Sequence, residues 1–346
     1  MESPRKRATM TDVARAARVS LQTVSAVING KPGISEPTRE RVRSVIRQFD
    51  YHPNGFASSL RARRSFTVGV VIPTITNPYF PEFVRGLEDV AHRQGYSVFL
   101  CNSDHDQSKE INYLQLLRRH RVAGYVVAYG LSNSEGDRIL AELAADGIPV
   151  VTLGTRQLHP RAVTLLADDV HGTKGITTHL VELGHRRIGF ISPPEGGDVH
   201  RHRLAGYLGA LEKAGIAAEP ALIAPGDFSV KAGQRGAARL MKLGHPPSAI
   251  VAANDLVAIG AINALRRMRK RVPEDVSVTG YDDIPLARLF HPALTTMAQP
   301  VHEMGTAGMA ALLARIEDPK LTGAAIRFKS KLLVRESTAP PLGPPG

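Results

Sequence analysis

The chain has 346 residues of which 43% are apolar, enough for a small domain plus one large or two medium ones, each with its own core, and too apolar for long disorder. Its net charge of +12 is uneven: residues 1–64 carry 13 Lys and Arg against five Asp and Glu, which points to a polyanion such as DNA rather than to an acidic substrate bound elsewhere. The single cysteine, Cys101, excludes an intramolecular disulfide and a multi-cysteine metal site, while the absence of a long apolar run or of a signal-peptide pattern leads to the expectation of a cytoplasmic protein without membrane contact.

Taken in order, the chain opens with two short helical runs inside Thr9–Gly30. Thr9 and Asp12 have capping-box spacing, and Ser20 precedes the second run. In that second run Val24, Val27 and Ile28 fall on one face, leaving Leu21, Gln22, Ser25, Ala26 and Asn29 on the other. Amides, hydroxyls and an apolar side chain suit a helix whose first turns lie in a major groove. An ordinary amphipathic hairpin has the same bare pattern. A third helix starts at Ser35 with Pro37 in its first turn, and its spacing buries Val42, Val45, Ile46 and Phe49 while Arg39, Arg41, Arg43 and Arg47 stay out. Residues 55–61 then read as a linker with helical leanings.

From Phe66 short apolar strands alternate with helical runs. Strands are expected at Val68–Ile72, Val98–Cys101, Tyr125–Ala128 and Val150–Leu153, with helices at Glu82–Gln94, Lys109–His120 and Glu135–Asp146, and with Gly95 and Gly147 as stops. The pattern restarts after Leu165: a helix to Leu183, strands at Ile188–Ser192, Ala249–Ala253 and Val276–Thr279, and helices at Leu204–Ala214, Lys231–Leu243 and Val257–Arg267. This alternation implies two doubly wound parallel sheets. Such sheets bind ligands beyond the carboxyl ends of their strands, where this chain has Asn77-Pro78-Tyr79-Phe80, Asn102-Ser103-Asp104, Asn254-Asp255 and Tyr281-Asp282-Asp283. Any one of these residues could equally cap a helix.

The ordered blocks TMTDVARAA, VRSVIRQFDYHPN, FTVGVVIP with NPYF, LVELGHRRIGFI, AANDLVAIGA, VPEDVSVTGYDD, HPALTTMAQP and LLVRESTAP, from Thr9 to about Thr338, resemble the lactose-repressor (LacI/GalR) family of bacterial transcription regulators. The resemblance implies a small all-α helix-turn-helix head at 1–52, a hinge helix at 53–65 and a periplasmic-binding-protein-like effector and dimerisation domain at 66–338, followed by a tail at 339–346. It places an N-subdomain at about 66–165 and 297–328 and a C-subdomain at about 166–295 and 330–338, with crossings near Leu165–Ala167, Thr295–Met297 and Phe328–Lys331. It further implies DNA contacts at Thr9, Ser20, Leu21, Gln22, Thr23, Ser25, Ala26, Asn29, Tyr51, Asn54, Ala57, Leu60 and Arg61, and effector contacts at Tyr79, Phe80, Arg203, Phe228, Asn254 and Asp282. The function implied is a repressor that binds a pseudo-palindromic operator as a homodimer under control of a sugar or other small metabolite. No metal, cofactor or turnover is expected.

Four departures from the family pattern bear on specificity. Arg18 stands in the turn between the first two helices where glycine is usual, and Ala26 replaces a common arginine of the reading helix, which shifts the choice of operator onto Leu21 and Gln22. Gly154-Thr155 follows the fourth strand in place of an acidic residue with Arg or an aromatic, and Ser192-Pro193-Pro194-Glu195-Gly196-Gly197 replaces a glycine-led loop. The proline-rich tail from Ala339 cannot form a heptad zipper. Leu60 matches the family's minor-groove wedge, so Leu60→Ala is expected to weaken operator binding far more than binding to random DNA; equal loss on both, read by anisotropy on the two duplexes, removes the wedge assignment. The competing readings are a stand-alone sugar-binding protein, opposed by the basic head, and an enzyme built on His200-Arg201-His202-Arg203 or Asp282-Asp283, whose spacing fits no known zinc or nucleophile arrangement.

Overall fold

The computed structural model describes residues 8–28, 30–51, 65–128, 134–154 and 156–343. The chain divides into two compact units, Met1–Ser65 and Phe66–Gly346.

The first unit holds α1 (Met10–Ala17), α2 (Leu21–Ile28) and α3 (Glu36–Gln48). Thr9 closes the expected capping box: the Asp12 amide donates to Thr9 Oγ1 at 3.3 Å and the Thr9 amide to Asp12 Oδ2 at 2.9 Å. The turn to α2 puts Arg18 in the left-handed region, φ 52° and ψ 49°, where its amide donates to the carbonyls of Ala14 and Arg15. A side chain in that conformation costs on the order of 1 kcal/mol relative to glycine. Ser20 Oγ accepts the Thr23 amide at 3.1 Å and so starts α2. Val13, Ala14, Ala17, Val24, Val27, Val42 and Val45 make the core.

Two expectations for α3 are corrected. Phe49 is 36% exposed, and Tyr51, at 9%, is buried in the core. The helix stops at Gln48 and Asp50 turns left-handed (φ 47°), so the Tyr51 amide reaches back to the Ile46 carbonyl at 3.0 Å. This Schellman-type end swings Phe49 off the buried stripe and brings Tyr51 onto it. Arg39 also does not stay out: its guanidinium turns in, with Nη2 donating to the Lys31 carbonyl at 3.1 Å and Nε 3.6 Å from Glu36.

The second unit contains two six-stranded sheets. The first is built from β1 (Thr67–Ile72), β2 (Ser97–Asn102), β3 (Tyr125–Ala128), β4 (Val150–Gly154), β5 (Val163–Ala167) and β11 (Ala325–Phe328), in the order β11-β5-β4-β3-β1-β2, all parallel. The second has β6 (Ile188–Ile191), β7 (Ile223–Ala224), β8 (Ala249–Ala252), β9 (Ser277–Asp282), β10 (Thr295–Ala298) and β12 (Lys331–Leu333), in the order β12-β10-β9-β8-β6-β7, with only the β10–β12 pairing antiparallel. Both are doubly wound with a switch point at their founding strand, as the alternating pattern implied. Around the first sheet lie α4 (Tyr79–Arg93), α5 (Gln107–Arg119), α6 (Ser134–Ala145) and the returning α12 (Val301–Glu317); around the second lie α7 (Asp169–Glu182), α8 (Asp198–Lys213), α9 (Val230–Leu240) and α10 (Asp255–Arg267), with the short α11 (Pro285–Leu289) after β9.

Three segments join the halves. The chain leaves the first sheet after Ala167, returns from the second through Gln299 and Pro300 into α12, and passes back between β11 and β12 through Lys329 and Ser330. Leu166 and Ala167 therefore belong to the first sheet and Met297 and Ala298 to the second, a few residues beyond the expected crossings. The reason is that the strands run on to their last ladder partners, where an apolar run alone gives no signal of ending. The return of α12 is secured by small residues. A Cβ on Gly86 would meet the His302 carbonyl, and one on Gly305 the Phe83 carbonyl, so only glycine lets α4 and α12 approach this closely. Among the described residues no helix is long and apolar enough to cross a membrane.

Candidate ligand cleft and reading helix

In the head the outward face of α2 carries Leu21, 47% exposed, and Gln22, also exposed, followed by the half-buried Thr23, Ser25 and Ala26. Ser20 and Thr23 hold each other, Oγ to Oγ1 at 3.0 Å, at the start of the helix. The start of a helix carries partial positive charge from its first-turn amides. Thr9 is engaged in its capping box, and Tyr51 is packed inside. Asn29, Asn54, Ala57, Leu60 and Arg61 lie outside the described residues. Among the described residues the exposed outer face of α2 therefore begins at Leu21 and Gln22.

In the second unit the loops at the carboxyl ends of the strands enclose a cleft of about 1150 Å³. Tyr79, Phe80, Arg203, Phe228, Asn254 and Asp282 all line it, brought together from α4, α8, the loop before α9, the start of α10 and the end of β9. The Asn77 Oδ1 accepts the Tyr79 amide at 3.1 Å, which starts α4 earlier than the expected Glu82 and sets Tyr79 and Phe80 edge to face at 5.2 Å. Two aromatic rings thus wall the first half of the cleft.

Arg203 anchors the second half. The helix that carries it, α8, begins at Asp198 and not at the expected Leu204, so Arg203 is one full turn inside the helix. Its side chain is 5% exposed; Nε donates to Asp169 Oδ1 at 2.9 Å, Nη1 donates to the Ala253 carbonyl, and the guanidinium carbon lies 3.9 Å from the centre of the Tyr281 ring. Asp282 stands 3.9 Å from Arg203 Nη2 and accepts Gln299 Nε2 at 2.8 Å, which ties the cleft floor to the second crossing. Asp282 and Asp283 have φ of 109° and 57°, a strained pair at the end of β9. Asp283 is held there by Arg335 at 2.6 Å and Arg288 at 3.6 Å. Asn254 accepts the Val257 amide on Oδ1 at 2.9 Å and donates to the Phe228 carbonyl at 3.4 Å. It is a helix cap that also borders the cleft.

Burial pushes the Asp282 carboxyl up to about 7, against the opposing pull of Arg203 and the Gln299 hydrogen bond and with a further push from Asp169. Asp255, completely buried and bonded to Thr296 Oγ1 and the Ile284 amide, is also raised well above the ordinary range by burial and by Asp282. For Asp282 the folded value exceeds the unfolded one, so the folded chain binds more protons and this group's contribution to stability is full below about pH 4 and lost as pH rises through about 7. Asp282→Asn keeps the oxygen that Gln299 meets and removes the titration. Its melting temperature is expected to fall less than that of the native chain between pH 5 and pH 8; parallel curves would show that Asp282 ionises normally.

The cleft also contains residues that the sequence pattern did not single out, Asp137, Arg156, Asp198 and Gln299, together with Glu195 of the departing loop. The rule that ligands sit beyond the carboxyl ends of strands already pointed to the loop after β4. Arg156 lies one residue beyond the Gly154-Thr155 pair that departs from the family pattern. Among the described residues no group of three or more His, Cys, Asp or Glu side chains is placed to hold a metal ion.

Against known proteins, the sequence model described as "Bacterial regulatory proteins, lacI family" matches residues 9–54, and that described as "Periplasmic binding protein-like domain" matches residues 177–338. The chain is 35% identical to the HTH-type transcriptional regulator DegA of Bacillus subtilis over 338 residues, 96% of this chain and 98% of that protein. It is 34% identical to the ribose operon repressor of Halalkalibacterium halodurans over 331 residues, 95% and 97% of the two chains. The crystal structure of the lac repressor dimer bound to operator and an anti-inducer superposes with a TM-score of 0.86 at 29% identity, covering 96% of this chain and all of that one. A transcriptional regulator from Enterococcus faecium with bound ribose gives 0.73 at 31% identity, covering 79% of this chain and 99% of that one.

Proposed function

We propose, from the premise that this chain belongs to the lacI family of bacterial regulatory proteins, that it is a transcriptional repressor whose DNA binding is controlled by a small molecule in the cleft. The observation that carries this reading is the presence in one chain of a capped helix-turn-helix with an outward Leu21 and Gln22 and of a two-half cleft walled by aromatics around a buried Arg203 and Asp282. The protein binds a pseudo-palindromic operator as a homodimer, with residues 1–52 as the head, 53–65 as the hinge and 66–338 as the effector and dimerisation domain. Leu21 meets a thymine methyl and Gln22 an adenine edge. It is a regulator without turnover, working among cytoplasmic DNA. The stand-alone binding protein finds no support in a chain whose first residues match the DNA-binding model.

The ligand class follows from the lining. Arg203 and Asp282 offer donors and an acceptor to hydroxyls or ring nitrogens, and Tyr79, Phe80 and Phe228 offer faces to an apolar side. Sugars come first, since the Enterococcus faecium relative holds ribose. The ligand acts on DNA binding only through its different affinity for two angles between the halves. The test is to incubate the protein with a bacterial metabolite extract, desalt it and weigh it by native mass spectrometry beside Phe228→Ala. One small molecule per chain, retained by the native protein, lost from the variant and altering operator affinity when added back, is the expected result. Equal retention by both, or retention without effect on operator binding, overturns the control by this cleft.

A further inference from the structure

The cleft is bridged at its solvent end. Arg156, in the loop after β4 of the first half, donates from Nη2 to Asp137 of α6 in the same half and from Nε to Asp198 Oδ2 at 3.2 Å, and Asp198 is the first residue of α8 in the second half. Asp198 is met on its other oxygen by Arg201. Asp137, Arg156 and Asp198 all line the cleft, and their exposure grades from the buried base at Arg203 and Asp282 to an Arg156 side chain that is 51% exposed. At the base the halves meet through apolar side chains, since Ile284 and Leu256 of the second half pack into the core of the first. One contact is therefore apolar and sits by the crossings; the other is ionic and sits at the mouth.

The geometry points to Arg156 as a clasp that holds the two halves together across the mouth of the cleft, and that a ligand passing in or out must open or rearrange. A single planar guanidinium meets two carboxylates at once through separately directed N–H donors, which the point charge of a lysine ammonium does with less geometric fit. Because the chain segment holding Arg156 belongs to one half and Asp198 to the other, the pair exists only in the closed arrangement. Each closing of the halves re-forms it and each opening breaks it. Its half-exposed setting limits its weight, so it biases the closed form about two- to fivefold and does not lock it. Asp198 is favoured independently at the start of α8, where a negative charge faces the helix N-terminus, so it stays in place for Arg156 to find. The inference rests on the reading of this cleft as an effector site only for its regulatory meaning; the clasp itself needs no ligand to be tested.

The measurement is the distance between spin labels on cysteines introduced at Ser108, at the start of α5, and Lys231, at the start of α9, in the full chain with Cys101→Ala and no ligand. In the native background one closed population is expected to dominate. Arg156→Ala and Asp198→Asn are each expected to add a second population longer by more than about 2 Å, as is 1 M sodium chloride on the native chain through screening of the exposed pair. Arg156→Lys is expected to lie between. Arg138→Ala, which breaks an exposed pair with Glu142 inside α6, serves as the control and should leave the distances unchanged. Cooperative melting of every variant shows that it is folded. If Arg156→Ala superposes on the native distribution, or Arg138→Ala moves it as far, the clasp is refuted. If the distances respond to Arg156 but no small molecule is retained from the metabolite extract, the clasp stands and the effector reading falls.

Discussion

Replacing Arg203 by Met is expected to abolish the response to ligand and to lower the stability of the α/β unit by about 3–5 kcal/mol. Methionine fills much of the same space but leaves Asp169, whose side chain is fully buried, and Asp282, 7% exposed, without their cation, and removes the donor to the Ala253 carbonyl. One oxygen of Asp169 already has no hydrogen-bond partner among the described residues, so this carboxylate depends on Arg203 for its charge balance. The loss has a defined pH dependence. Burial already raises the Asp282 carboxyl and Arg203 pulls it back down, so without the guanidinium the folded chain holds that proton still more tightly than the unfolded one, and the deficit is fully expressed above the folded value and relieved as pH falls towards the unfolded one. Urea denaturation at pH 8 and pH 5 checks this: a larger deficit at pH 8 is expected, and equal deficits would show that the side chain acts through packing alone.

The second large effect belongs to the head. Gln22→Ala is expected to weaken binding to the preferred operator by about 1–3 kcal/mol while leaving affinity for random DNA unchanged, because a side-chain amide facing an adenine edge discriminates bases and does not neutralise phosphate. Gln22 is exposed on the outer face of α2, so its removal creates no cavity and the head's melting temperature should hold. Anisotropy titrations on the two duplexes, at matched salt, separate the outcomes. Equal weakening on both would place Gln22 on the backbone.

These two sites differ in how much of them could be read from residues alone. The head was legible because its signals are local: a Thr9–Asp12 capping box, a Ser20 cap and apolar residues at helical spacing each act within a few positions. The exposure of Phe49 was not legible because a left-handed Asp50 shifts the phase at the end of α3, and aspartate, unlike glycine, does not announce that conformation. In the α/β unit the buried strands between glycine stops were plain, but the two-residue β7 and the strands at the crossings were not. Their pairing is fixed by partners far along the chain, as when Ala325 meets Thr164. The six cleft residues came from motif position, and the loop rule explains why they gather. The Arg156–Asp198 pair spans 42 positions and two halves; no periodicity encodes such a contact, and only the placement of Arg156 just past a strand end marked it for inspection.

The proposed role of the protein requires recognition of a symmetric site in DNA. The direct measurement is selection of the full-length protein on a random duplex library, followed by sequencing of the retained fraction and a salt titration on the winning site. Enrichment of one two-fold-symmetric sequence, with log affinity falling linearly and steeply against log salt as released counterions require, is the predicted result. Retention of no symmetric sequence, both from the free protein and after repetition with the metabolite extract present, would contradict it.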